Sequence, residues 1–364
     1  MRSFLPIEIG PHLLDEPLPH DVYNQQGVLV ARGGSVISDP TRLAFLADMR
    51  LFRPSAPDEP LQASPFAALG EIARQYNALL DTSGDLDLQA VITLAAALRQ
   101  LVQGHPELSI GMSNLLDMPS LARRHTLHAA TVGILLAREM GLPEEAQLTV
   151  ACAALTMNLS SHDLQDRLSQ SGERPGAADS AELRMHAWHS AEALARLGLS
   201  DARWLLAVSQ HHENLDGSGY PFGIVGSAIT REARILRTAD VWCAFLSHRH
   251  RRTCHYPRQA LREIFRRERG KLDDAAMLAL RRVMGYYPPG TVVRLANRET
   301  ALVTRWFERR ARPGYVVSLL RPTGNPVARH QVRDTARPDY AIREYTYLPL
   351  YHTPLDWSGV WAAG

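Results

Sequence analysis

Between Leu86 and Glu268 the chain is an almost unbroken succession of segments with helix-like apolar periodicity, and this run constrains the fold more than any other feature. The spacing predicts helices over Leu86–Gln103, Leu121–Met140, Glu144–Leu168, Ser180–Leu197, Asp201–His212, Arg231–Leu246 and Pro257–Glu268. Gly141-Leu142-Pro143 and Gly198-Leu199-Ser200-Asp201 are clean breaks, the second carrying an aspartate suited to capping the next helix. A chain that strings helices together with short breaks buries its apolar stripes against one another, so the centre reads as an all-α bundle.

Both ends differ in texture. Asp21–Asn24, a Gln25-Gln26-Gly27 turn and Val28–Ala31 read as a hairpin, with a helix from Thr41 to Met49 and a proline-rich linker at 54–60. After Tyr286-Tyr287-Pro288-Pro289-Gly290, strands are expected over Thr291–Leu295, Thr300–Thr304 and Gly314–Leu320. The expected fold is mainly α, with a small N-terminal β-rich unit (1–60), a helical connector (61–115), the helical bundle (116–285) and a C-terminal β appendix (286–364).

At 364 residues the chain is long enough for about two or three domains. Its formal net charge of +2 gives no electrostatic basis for general nucleic-acid binding. Lys271 is the only lysine, so arginine carries nearly all positive charge. Cys152, Cys243 and Cys254 have no zinc or disulfide spacing, which suits a reducing cytoplasm. The opening residues lack a signal-peptide pattern, and the apolar run from Ala129 to Met140 is too short to span a bilayer.

The chemistry concentrates in His211-His212-Glu213-Asn214-Leu215-Asp216-Gly217-Ser218-Gly219-Tyr220-Pro221. Neutral imidazoles ligate transition metals well. Helical neighbours are rotated by about 100°, so adjacent histidines would address two ions, or one ion and a ligand. Asp216-Gly217 and Gly219 supply the backbone freedom to end a helix sharply and to let main chain approach a substrate.

This stretch resembles the signature of the HD-GYP family, bacterial metal-dependent phosphodiesterases that open cyclic di-GMP. The resemblance runs from Met118 to Arg269 and implies a central HD-type helical domain. It matches His125 to a ligand on the family's first helix, with His128 as the alternative register. His186 matches a ligand followed by a small residue, here Ser190 in place of Gly. His211 and His212 match the next two ligands, and Asp240, closing Ala233-Arg234-Ile235-Leu236-Arg237-Thr238-Ala239-Asp240, matches a ligand aspartate. The resemblance also implies substrate contacts at Gly217, Gly219, Tyr220 and Pro221. Arg249 and Arg252 keep an Arg-x-x-Arg spacing suited to phosphate or guanine, with a solvated basic loop as the plain alternative.

The name-giving dyad is where this sequence departs from the family. Where the family reads Leu-Leu-His-Asp-Ile-Gly-Lys, this chain reads Ala154-Leu155-Thr156-Met157-Asn158-Leu159-Ser160. Thr156 stands for the histidine ligand, Met157 for the bridging aspartate and Ser160 for the lysine. A neutral thioether cannot replace a bridging carboxylate between hard cations. His162-Asp163 lie six residues on, about 600° of helix rotation, and are expected as a solvated surface pair. Cys243 stands where a further family aspartate is usual.

The implied ligand set is therefore incomplete: His125 with Asp240 at one position, His186 with His211 or His212 at the other. The expectation is at most one divalent ion of Fe or Mn type, or none, with hydrolysis weak or absent. Such a chain would be a regulatory protein that binds cyclic di-GMP without cutting it, or docks on signalling partners such as diguanylate cyclase domains. The alternative is an active phosphodiesterase with an altered site, using one ion with Glu213 or Asp216 aiding proton transfer. A plain interaction scaffold is the third reading, and homodimerisation stays open. Trp188, Trp204 and Trp242 are expected as core residues, with stacking on a guanine as the alternative.

Overall fold

The computed structural model describes all residues except 1–3, 8, 10–12, 24–28, 48–50, 55–63, 82–85, 114, 117, 119, 172–173, 248–254, 307–313, 349–354, 356 and 364. The chain forms two compact units, Met1–Ala63 and Ser64–Gly364.

The first unit is a four-stranded antiparallel sheet of β1 (Phe4–Ile7), β2 (Val22–Tyr23), β3 (Leu29–Ala31) and β4 (Leu51–Pro54), ordered β1-β4-β2-β3, with helix α1 (Pro40–Ala47). Its small core gathers Leu18, Val22, Ile37, Leu46 and Leu51. The expected hairpin forms, pairing Val22 with Ala31 and Tyr23 with Leu29, while its turn at 24–28 lies outside the described residues.

The second unit opens with α2 (Pro65–Leu80), α3 (Leu88–Gly104) and α4 (Pro106–Ser113). Helix α5 (Leu121–Glu139) is its axis: every residue from His125 to Ala137 is buried. α5 packs on α6 (Glu144–Thr156) and on α10 (Arg231–Leu246). Gly133 allows the first approach, since a Cβ there would lie 3.1 Å from Val150 Cγ1. α5 ends as the sequence suggests. Gly141 takes φ +69°, its N–H donates to Arg138 O and the Leu142 N–H donates to Ala137 O, a Schellman closure.

Helices α7 (His162–Ser171), α8 (Ala177–Arg196), α9 (Ala202–Ser209), α11 (Pro257–Arg267) and α12 (Asp274–Met284) complete the bundle. Asp201 caps α9 as expected, accepting from the Arg203 and Trp204 N–H groups at 2.9 and 3.2 Å. The helix expected over Glu144–Leu168 is two helices. Asn158, Ser160 and Ser161 spend their side chains on neighbouring groups, which competes with helical hydrogen bonding and turns the chain between Thr156 and His162.

A five-stranded antiparallel sheet follows: β5 (Val292–Leu295), β6 (Thr300–Leu302), β7 (Tyr315–Leu320), β8 (Val332–Asp334) and β9 (Ile342–Tyr345), ordered β8-β7-β6-β5-β9. Alternation along the strands buries both faces: Val292, Leu302, Val317 and Leu319 on one, Val293, Ala301 and Val316 on the other. The closing helix α13 (Trp357–Ala363) packs on the first face. Its Trp361 ring lies against Gly111 of α4, where a Cβ would sit 2.5 Å from the ring.

Candidate metal centre

Three imidazoles converge inside the second unit. The coordinating nitrogens of His186, His211 and His212 lie within 4.8 Å of one another. His186 comes from α8. His211 and His212 follow the end of α9, which stops at Ser209 rather than running to His212. The helix arithmetic, which would splay adjacent histidines by about 100°, therefore does not govern them. Their rings stand 4.1 Å apart, and each faces the His186 ring at 5.2 and 4.8 Å.

Tautomers follow from the partners. His186 Nδ1 lies 2.6 Å from Leu183 O and His211 Nδ1 lies 2.6 Å from Val208 O. A carbonyl accepts only, so each Nδ1 carries the proton and each Nε2 presents a lone pair. Both Nε2 atoms, and His212 Nδ1, are buried without a hydrogen-bond partner. Burial pushes His211 down to about 3 and holds His186 and His212 below the usual histidine range, so all three are neutral near pH 7. Three desolvated imidazoles at this spacing fit one transition-metal ion, with backbone carbonyls fixing the His186 and His211 rings.

A second group adjoins them. His125 Nε2 lies 2.8 Å from Asp240 Oδ1, bringing α5 to α10. Asp240 Oδ2 stands 3.9 Å from His212 Nδ1 and 3.7 Å from Arg237 Nη1. Burial alone would raise the Asp240 carboxyl, but the His125 contact and the nearby His212 and Arg237 hold it well below the usual carboxylate range.

Neither Thr156, the last residue of α6, nor Met157 after it offers a ligand. The Thr156 hydroxyl donates to Cys152 O at 2.8 Å and accepts from Trp204 Nε1 at 2.9 Å. Met157 is fully buried in the helical core. Ser160 Oγ donates to His186 O at 2.9 Å and lies 3.1 Å from Ser190 Oγ. Ser160 and Ser190 thus join the turn after α6 to the helix that carries His186.

His162 departs from expectation. Because the chain turns before α7, the rotation count does not carry past Thr156; His162 is buried, with Nε2 3.3 Å from Thr126 Oγ1 on α5. Its neighbour Asp163 is exposed, as expected. His128 is also buried but lines a separate cavity, whereas His125 lies against Asp240. Burial pushes His162 to about 4 and His128 to about 3.

These shifts set an acid limit on stability. His128, His162 and His211 bind protons near pH 6.5 when unfolded but only near 3 to 4 when folded. The unfolded chain binds more protons between those values, so stability is complete above about pH 6.5 and is lost as pH falls through that window. With three such groups the limiting slope is roughly 4 kcal/mol per pH unit. The thermal midpoint of the metal-free protein should fall steeply between pH 6.5 and 5; an unchanged midpoint would contradict these burials.

The glycine-rich loop closes over the cluster. Tyr220 stacks on His212 at 4.7 Å, and Arg184 of α8 lies over the Tyr220 ring. Gly217 takes φ +77°. A Cβ on Gly219 would lie 2.5 Å from Glu213 Cα and collide with the Asn214 backbone. Glu213 is buried with both oxygens engaged, accepting from the Phe222 and Ile224 N–H groups at 2.8 and 3.0 Å. Asp216 is exposed and accepts from the Ser218 N–H and hydroxyl. Both carboxylates thus hold the loop's shape. Gly219→Ala should destabilise the protein by about 1–3 kcal/mol by overpacking and displace Tyr220 from His212. An unchanged thermal midpoint would refute this account of the loop.

Sequence reasoning missed Arg237, whose Nε donates to Asn214 Oδ1 at 3.1 Å while its guanidinium faces Asp240. Its signal was present as the residue three before Asp240 on one helix face. Of the tryptophans, Trp204 and Trp242 are buried, but Trp188 is 43% exposed and meets Phe222 edge-on at 5.4 Å. Arg249 and Arg252 lie outside the described residues.

Residues 96–276 match the family model described as the HD domain. This segment is an HD domain. A cyclic di-GMP phosphodiesterase of Pseudomonas aeruginosa is 26% identical over 227 residues, 62% of this chain and 52% of that protein. A cyclic di-GMP phosphodiesterase response regulator of Xanthomonas campestris is 33% identical, over 38% of this chain and 37% of its own. A 3′3′-cGAMP-specific phosphodiesterase of Vibrio cholerae is 27% identical over 45% of this chain and 35% of its own. The chain thus spans about half or less of these relatives. In fold it is similar to a solved HDG"Y"P protein from Bdellovibrio bacteriovorus, with a TM-score of 0.52 and 14% identity over 77% of this chain and 99% of that one. Among the described residues, no helix is long and apolar enough to cross a membrane.

Proposed function

We propose that this chain is a degenerate HD-GYP protein that holds a cyclic dinucleotide over its histidine cluster, retains at most one divalent ion, and hydrolyses the ligand weakly or not at all. The observation that carries the reading is the state of positions 156 and 157. The Thr156 hydroxyl is occupied by Trp204 and Cys152, and Met157 is sealed in the core. A carboxylate able to bridge two cations is missing from that position, and two ions without one repel across a short gap.

His186, His211 and His212 would hold the remaining ion, of Fe or Mn type, with Asp240 at its edge. A bound ion would supply Lewis acidity toward a phosphate oxygen. Arg237 and Arg184 place positive charge beside the cluster for the ligand's phosphates, and Arg249 and Arg252 are assigned the same task by their spacing. Gly217, Gly219, Tyr220 and Pro221 form the wall against which a base or sugar rests. The relatives' names, cyclic di-GMP and 3′3′-cGAMP phosphodiesterases, supply the ligand class. The exposed Trp188–Phe222 pair beside this loop suits a signalling partner such as a diguanylate cyclase domain.

A second reading, a single-ion phosphodiesterase, draws on the three bare nitrogens and the adjacent Asp240. Calorimetry with cyclic di-GMP, run beside chromatography of the products, separates the readings. The proposed one gives saturable binding with turnover near background. Rapid linearisation favours the single-ion enzyme, and an absence of binding leaves a plain scaffold.

A further inference from the structure

A groove of about 580 Å³ lies along α11, and none of His125, His186, His211, His212 or Asp240 lines it. Arg258, Leu261, Arg262 and Phe265 on its wall come from α11, and Arg281 comes from the last turn of α12. The four α11 residues fall within about 100° of helix rotation, so one face of that helix supplies much of the groove. Tyr286, just after α12, and Tyr345 of β9 also line it. The Tyr345 hydroxyl donates to Tyr286 O at 2.8 Å, which ties β9 to the segment that carries Tyr286.

The wall carries three guanidinium groups and no aspartate or glutamate. Other arginines of the same two helices are paired: Arg266 and Arg267 with Glu263 at 2.7 and 2.5 Å, and Arg282 with Glu139 at 3.8 Å. Among the described residues, Arg258, Arg262 and Arg281 form no ion pair, and all three are exposed. Two of them are oriented without being neutralised. Arg258 lies over the Tyr286 ring at 5.3 Å and Arg281 over the Phe265 ring at 5.8 Å. A ring attracts a guanidinium through its quadrupole but has no net charge, and a stacked guanidinium keeps its in-plane N–H donors for an oxyanion. Like charges gathered on one wall repel, and a multivalent anion relieves that repulsion.

Size and the rest of the wall narrow the class. The groove falls within the roughly 300–1,000 Å³ of sites for ligands larger than a single ring. Three separate guanidinium groups suit a chain of phosphates better than one anionic group, since each can take its own oxyanion. Beside them Tyr286 is 44% exposed, an aromatic surface on which a planar base can pack. We propose that this groove binds a nucleoside triphosphate, its phosphates on Arg258, Arg262 and Arg281 and its base against Tyr286. An acidic peptide would meet the same cations but has no planar ring to place on the tyrosine. The inference does not rest on the reading of the histidine cluster, because the groove shares no residue with that centre.

Calorimetry on the full chain in chelator tests it, with ATP and GTP as probes and tripolyphosphate, adenosine and a hexaglutamate peptide as controls. The chelator keeps a nucleotide from bridging to an ion at the histidines. At least one of the two nucleotides should bind saturably at one site per chain. Arg258→Gln combined with Arg262→Gln should weaken it by about tenfold or more, the low end for charge-assisted hydrogen bonds. Tyr286→Ala should weaken it by about fivefold or more, the low end for a base stacked on an aromatic ring, and serves if the arginine variant does not fold. His211→Ala should leave the affinity unchanged. Failure of both nucleotides to saturate overturns the proposal, as does tripolyphosphate or hexaglutamate binding as tightly as the nucleotide. Affinity unchanged in the folded groove variants, or lost equally in His211→Ala, overturns it too.

Discussion

Thr156→His combined with Met157→Asp should raise cyclic di-GMP linearisation by at least about 100-fold, the low end of what a restored proton-transfer or charge-stabilising group contributes. The same variant should depend on metal for its stability. Met157 is fully buried among apolar neighbours, so a carboxylate placed there without a cation is an uncompensated buried charge, at a cost of about 3–5 kcal/mol. Thr156→His also removes the acceptor of the Trp204 indole N–H, which adds about 1–3 kcal/mol unless Trp204→Phe is included. In chelator the variant should therefore melt well below the parent, and Mn(II) should restore it. Activity unchanged in a folded, metal-loaded variant would show that loss of the dyad is not what limits the site.

His211→Ala should lower metal affinity by at least about 100-fold, more than the 10–100-fold typical of losing a mere partner of a ligand. His211 is fully buried, its ring is oriented by Val208 O, and its Nε2 has no other use. Removing one of three converging donors leaves too few to outcompete water. His189→Ala is the control: it lies on the same helix as His186 but is exposed, so metal affinity should not change. Equal losses in both variants, or none in His211→Ala, would remove the histidine cluster from the account.

Regular periodicity was legible and local breaks were less so. The helix from Arg231 to Leu246 and the two glycine stops at Gly141 and Gly198 follow directly from pattern and turn chemistry. The division after Thr156 did not, because a run such as Asn158 to Ser161 leaves a helix only when its side chains find tertiary partners, here Thr126, His186 and Ser190. The same hidden turn makes His162 an interior residue. Strands β8 and β9 escaped notice because they are three and four residues long and half exposed, so their alternation is weak.

At the site, residue identity was more legible than residue task. Residue chemistry pointed to His211 and His212 and the resemblance to HD-GYP proteins added His125, His186 and Asp240; the fold brings all five near one another. It could not separate a carboxylate that moves protons from one that shapes a loop, since Glu213 and Asp216 differ from candidate bases only through the backbone N–H groups they accept. Orientation of the imidazoles by main-chain carbonyls is likewise a tertiary fact.

The most direct test is to count metal ions per chain in the purified protein after reconstitution with Fe(II) or Mn(II). With methionine in place of the bridging anion, one ion or fewer is expected. Two tightly held ions per chain would contradict the account at its root.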